Sequence, residues 1–194
     1  EGVLLRDDHP GAWVVVQDYL GPDGVSRTRT GLVACLEAEP YDTRAVLPHE
    51  RTHAGPKESR LRLLRAARAQ LEPIFLLYDG EPPVGVPDRE PDLMAEGARL
   101  WRIPGDGLAG FFADRQLLIA DGHHRYTTAL HYRDERRSLE GGGPWDAVLT
   151  LVVDAAAEHL PVLPFHRELL AGAPPDAVGD PTPGLEATLE SIHD

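Results

Sequence analysis

The segment Leu117–Leu130 reads LLIADGHHRYTTAL: an apolar run meets a glycine, and two histidines and an arginine follow in what the pattern predicts as the first turn of a helix. A helix N-terminus offers unsatisfied N–H groups and a partial positive charge, and a glycine there lets a ligand come close to the backbone. Gly122 and the amides after it therefore suit an anion, phosphate above all. Arg125 can fork onto two phosphate oxygens, and Thr127 or Thr128 can add a hydroxyl. Asp121 can hold a metal that accompanies phosphates or orient a histidine, with a helix cap as its plainer role. His123 and His124 do not suit a metal as a pair. Adjacent helical residues point about 100° apart and no third ligand stands out in the sequence, so no protein-held metal set is expected.

A second segment, Leu47–Arg60, reads LPHERTHAGPKESR and contains the only lysine of the chain, Lys57. It predicts a loop that delivers Arg51, His53 and Lys57 beside another helix N-terminus, the makings of a phosphate clamp. Arg60, Arg62, Arg65 and Arg68 beyond it read as a solvated helix face. A third segment, Pro161–Arg167 (PVLPFHR), ends in a His-Arg pair that suits an anionic substrate as well as a plain surface. Cys35 lies inside the apolar run Leu32–Leu36 and reads as a small core residue, with no activating base near it in sequence. The nucleophile elbow Gly-x-Ser-x-Gly and the Gly-Lys-Ser/Thr phosphate loop are both missing from the 194 residues.

Around these segments the chain is acidic, with 19 Lys+Arg against 32 Asp+Glu and a net charge of −13. Such a charge opposes DNA, RNA and anionic membranes as general partners. The charge is uneven. Residues 44–68 carry seven basic side chains against Glu50 and Glu58, whereas residues 1–43 and 79–96 are acidic. One basic stretch in an acidic protein suits a small anionic ligand better than a polymer of phosphates. A lone cysteine precludes an intramolecular disulfide and fits a reducing, cytoplasmic setting, and no apolar run has the length of a membrane span.

The elements that must position the chemistry follow from the punctuation. Ala12–Leu20 and Val25–Leu36 predict a hairpin about Gly21-Pro22-Asp23-Gly24, where Pro pre-sets φ and Gly accepts positive φ. A helix opens at Gly55-Pro56 and keeps helical spacing through Leu61, Leu64, Ala67 and Leu71 to Pro73. Ile74–Asp79 reads as a buried strand and 79–97 as a Pro-rich acidic loop without chemistry. Strands at Arg99–Ile103, Gln116–Ala120 and Ala147–Val153 and helices at Leu108–Arg115 and His123–Arg137 complete the reading, with weaker elements near Leu160–Leu163 and Leu185–Ser191. Strands and helices mix without βαβ alternation, which predicts a single α+β (mixed α/β) domain.

Four segments in this order, Leu47–Arg65, Pro73–Tyr78 (PIFLLY), Ile119–Arg136 (IADGHHRYTTALHYRDER) and Leu163–Arg167, resemble the bacterial and archaeal domain-of-unknown-function 1015 family. The resemblance implies that the chain is the central part of a longer protein. The Asp-Gly-His-His-Arg turn is also similar to the signature of the ParB/sulfiredoxin superfamily, in which a glycine-bearing turn ending in Arg binds nucleotide phosphates. That likeness implies a mixed sheet with flanking helices, and it aligns His124 and Arg125 with the phosphate-binding pair. Sulfiredoxin has its reactive cysteine where this chain has His123, so sulfinic acid reduction is not expected. Where the family usually shows Leu-Pro-Thr-His-Arg, this chain has Phe165 in place of Thr.

Free-serine kinases share that superfamily fold, and the combined expectation is a kinase-like protein that moves phosphate between ADP or ATP, with Mg²⁺, and a small hydroxyl compound. Gly122, His124, Arg125, Thr127, Arg51 and Lys57 are then the nucleotide-binding candidates, Asp121, His123 and Glu50 the catalytic ones, and His166 and Arg167 the substrate contacts. The alternative is a non-enzymatic, ParB-like nucleotide-binding module that regulates or binds a partner.

Overall fold

The hairpin forms from two segments rich in Val, Thr and Tyr. Strands β1 (Gly11–Leu20) and β2 (Ser26–Glu37) pair antiparallel with Trp13 opposite Val33 and Leu20 opposite Ser26. The turn closes through Gly21 N–H to the Val25 carbonyl at 2.8 Å, and Gly24 takes φ +75°, the conformation its lack of Cβ permits. Along β1, Ala12, Val14 and Val16 are buried while their neighbours are not, the period of a half-buried strand.

The computed structural model describes residues 9, 11–50 and 54–156, with the backbone alone at 54–57. After β2 come β3 (Val46–Leu47), α1 (Ala54–Ala67), β4 (Ile74–Tyr78), β5 (Leu93–Ala95), β6 (Ala98–Pro104), α2 (Leu108–Phe112), β7 (Leu117–Asp121), α3 (His123–Glu140) and β8 (Ala147–Asp154). The eight strands form one sheet in the order β3-β7-β4-β8-β2-β1-β6-β5. Two neighbour pairs, β3 with β7 and β4 with β8, are parallel and the rest antiparallel, so the fold is α+β as expected. One core cluster gathers Ile74, Leu76, Ile119, Tyr126, Leu130 and Val148; a second gathers Val14, Val16, Leu32, Trp101, Ile103 and Leu108.

Three expectations change. Helix α1 stops at Ala67 rather than running to Pro73: Arg68 takes φ +48°, and Leu71, assigned to the helix, is 68% exposed. The chain must turn there to enter β4, and Gln70 fixes the turn by bonding both the Ala147 carbonyl (2.8 Å) and the Leu149 N–H (2.7 Å) of β8. The acidic loop is also not all loop. Leu93–Ala95 pairs with β6 as an edge strand, and Arg89 holds the approach through Asp92 and the Arg102 carbonyl. Cys35 is exposed on β2 rather than buried, because Leu32 holds the core register and an odd-numbered offset puts residue 35 on the other face. The elements expected near Leu160–Leu163 and Leu185–Ser191 lie outside the described residues.

Helix α3 is the best-anchored element around the site. Buried Tyr126 donates its hydroxyl to the Glu39 carbonyl (2.7 Å) and accepts the Glu39 N–H (3.1 Å). Burial pushes its phenol far above the ordinary value, so it stays a neutral donor. Buried Arg133 reaches the Ala38 carbonyl, and Arg65 of α1 grips Glu135 of α3 at 2.7 Å.

Candidate functional site

Strand β7 buries Leu117 and Ile119 and delivers Asp121 to the end of the sheet. Gly122 then takes φ +100°, ψ 23°, and α3 begins at once, with the Tyr126 N–H bonded to the Gly122 carbonyl at 2.9 Å. That backbone needs glycine. A Cβ would be strained by the dihedral and would stand 3.2 Å from the Arg125 guanidinium, which lies against the glycine. The first-turn amides face the N-terminal end of the helix, where Gly122 supplies no capping side chain. Asp121 does not cap either: its carboxylate takes Arg125 at 2.5 Å.

His123 and Arg125 leave the turn on different sides. His123, 4% exposed, meets the loop after β3. The His49 N–H donates to His123 Nε2 at 3.2 Å, the two imidazoles meet edge to face with centroids 4.4 Å apart, and Glu50 lies 3.8 Å from His123 Nδ1. Burial first, and His49 second, push the His123 imidazole below its ordinary value, while Glu50 and Asp121 pull the other way. The ring is therefore neutral at pH 7. The ligand atoms of His49, Glu50 and His123 lie within 4.8 Å of one another.

Arg125 is engaged on its own side by the Pro73 carbonyl (2.7 Å), Asp121 (2.5 Å) and Glu72 (3.2 Å). It lines a cleft of about 470 Å³ between α1 and α3, together with Arg60, Leu63, Leu64, Leu71 and Ala129. An anion entering there must take the guanidinium from its carboxylates.

The structure thus joins Glu50 to His123 and Asp121 to Arg125, with Gly122 between. His124 sits in the first turn of α3, its carbonyl accepting the Thr128 hydroxyl at 2.7 Å. Thr127 is turned inward: its hydroxyl donates to the His123 carbonyl (2.9 Å) and lies 3.2 Å from the Tyr41 hydroxyl. Lys57 lies in the first turns of α1. Arg51, His166 and Arg167 lie outside the described residues. The sequence reading named neither His49 nor Glu72 as a site residue. His49 had a local signal, standing beside Glu50 in the same loop; Glu72 had none, because its role depends on the tertiary turn into β4.

Fold and site together define an α+β protein with a strand–glycine–helix turn backed by a His-Glu loop. A family model described as a protein of unknown function, DUF1015, matches residues 1–176, and the chain belongs to that family. Neither the curated proteins nor the solved structures contain a significant match.

Proposed function

We infer that the protein binds an adenine nucleotide at the β7–α3 turn and transfers phosphate to a small hydroxyl compound such as free serine. The observation that carries the reading is the meeting of two distant segments. The loop at His49–Glu50 bonds His123, which lies 74 residues further along the chain. Both segments carry the basic side chains and helix N-termini that suit phosphate. The glycine turn at Gly122, with the Arg125 guanidinium against it, suits a phosphate, and the cleft beside Arg125 has apolar walls for a base. Phosphoryl transfer asks mainly for positioning and charge neutralisation. In this reading the first-turn amides of α3 receive phosphate oxygens, with His124 beside them. Arg125 exchanges Asp121 or Glu72 for phosphate, and Arg51 and Lys57 bring further charge from the neighbouring segment. Asp121 or Glu50 takes the acceptor hydroxyl proton, and His166 and Arg167 contact the acceptor. Mg²⁺ bound with the nucleotide supplies charge neutralisation, and exposed Asp121 is the hard oxygen donor that suits it.

Isothermal titration with ADP and with ATP plus Mg²⁺ tests the binding, with Arg125→Ala as the variant. The expected result is saturable binding that weakens about tenfold or more in the variant. Absence of binding overturns the reading. A phosphorus NMR time course with serine and other hydroxyl compounds tests the transfer. Persistent, tightly bound nucleotide would point to the ParB-like regulatory module instead.

A further inference from the structure

The geometry points to a divalent metal site formed by His49, Glu50 and His123, selective for borderline cations such as Zn²⁺ over Mg²⁺ and Ca²⁺. Two imidazoles and one carboxylate are a mixed nitrogen–oxygen donor set; hard Mg²⁺ and Ca²⁺ take oxygen, whereas Zn²⁺ and its neighbours accept imidazole readily. The donors come from two segments. His123 is set by the first turn of a buried helix, and His49 and Glu50 by an exposed loop. Their ligand atoms lie within 4.8 Å of one another. Bond lengths of about 2.0–2.2 Å in a tetrahedral shell require separations of about 3.4 Å. Closing the set asks for a shift of roughly an ångström, taken up by the exposed loop.

A second observation concerns orientation. Nε2–H of His49 faces the Ala120 carbonyl at 3.4 Å, which leaves Nδ1 of that ring as the unprotonated ligand atom. A carbonyl behind a histidine is the support that ligating imidazoles commonly have. On His123 the His49 N–H occupies Nε2, so the metal arrives at Nδ1, on the Glu50 side. The ring proton then moves from Nδ1 to Nε2, and the His49 N–H contact opens as the loop closes on the ion. Three protein ligands beside an exposed loop leave a fourth position for water or a ligand oxygen, the arrangement of reactive rather than structural zinc sites.

The test is a calorimetric titration of the chelator-treated full chain with Zn²⁺, Mn²⁺, Mg²⁺ and Ca²⁺, with no nucleotide present. Its outcome is therefore independent of the nucleotide reading. One equivalent of Zn²⁺ is expected to bind, with Mg²⁺ and Ca²⁺ about 100-fold weaker or more. His49→Ala and Glu50→Gln, both on the exposed loop, should each weaken Zn²⁺ about 10- to 100-fold or more, since even supporting residues cost that much. X-ray absorption of the zinc form should show two imidazoles and oxygen without sulfur. His123→Gln, at a buried position, serves as a third variant, with circular dichroism to confirm its fold. Failure to bind Zn²⁺, or Zn²⁺ affinity unchanged in both loop variants, overturns the site.

Discussion

His123 and Arg125 stand two residues apart on one helix and live in opposite settings. His123 is buried, neutral at pH 7 and faced by a second imidazole and a carboxylate. Arg125 is charged, a quarter exposed and already held by two carboxylates and a carbonyl. Helical geometry separates the two side chains by about 200°, so a single turn presents a donor set for a cation on one flank and a guanidinium for an anion on the other. Asp121, between the flanks, leans to the arginine.

The change that damages both flanks at once should have the largest effect. Gly122→Val forces a β-branched residue to φ +100° and should cost about 1–3 kcal/mol of stability, read by denaturant unfolding. Nucleotide and Zn²⁺ binding should both fall in the same protein. Only the strain is large, since the Arg125 side chain can yield to the new methyls.

Tyr126→Phe tests the buried flank alone. It strips the Glu39 N–H and carbonyl of their partner at a part-buried position and should cost about 1–2 kcal/mol in the same assay. Its effect on Zn²⁺ affinity should exceed that on ADP affinity, because Tyr126 lies one turn beyond His123 on the same stripe. Asp121→Asn tests the other flank with the opposite sign. Releasing one arm of Arg125 should tighten ADP several-fold by calorimetry, about 1 kcal/mol. Weaker binding would assign Asp121 to the ligand instead of to the arginine.

The smallest effect lies away from both flanks and serves as the reference. The Arg89 guanidinium, and then the Arg102 N–H, hold the Asp92 carboxyl down to about 2. A depressed carboxyl stabilises the fold above its ordinary value of 3.8 and loses that contribution as pH falls through about 2. Asp92→Asn should therefore lower Tm slightly at pH 5, with the difference shrinking as pH falls through about 2 and ligand binding unchanged throughout.

Much of this was legible in the chain. The hairpin follows from its Pro-Asp-Gly turn, and β7 and α3 from the switch between apolar run and helical spacing at Gly122. Other features had no local signal. Edge strand β5 is three residues long and forms only because β6 offers a partner. The premature end of α1 depends on Gln70 reaching β8, a contact between residues nearly eighty positions apart. Thr127 read as a ligand hydroxyl because it sits in the right turn, yet the packing of Tyr41 against α3 turns it inward.

By itself the sequence determined what stands at each position: an acidic chain with one basic stretch, a glycine where a strand becomes a helix, and histidine, arginine and carboxylate close by in two segments. Periodicity and turn chemistry act over a few residues, so they fix elements and their ends. Only the tertiary structure decided which of those groups meet. It brought His49 and Glu50 to His123, and Glu72 and the Pro73 carbonyl to Arg125, because pairing β3 with β7 and β4 with β7 carries the two loops to the same end of the sheet. Contacts across seventy residues depend on that pairing, and no local pattern encodes them.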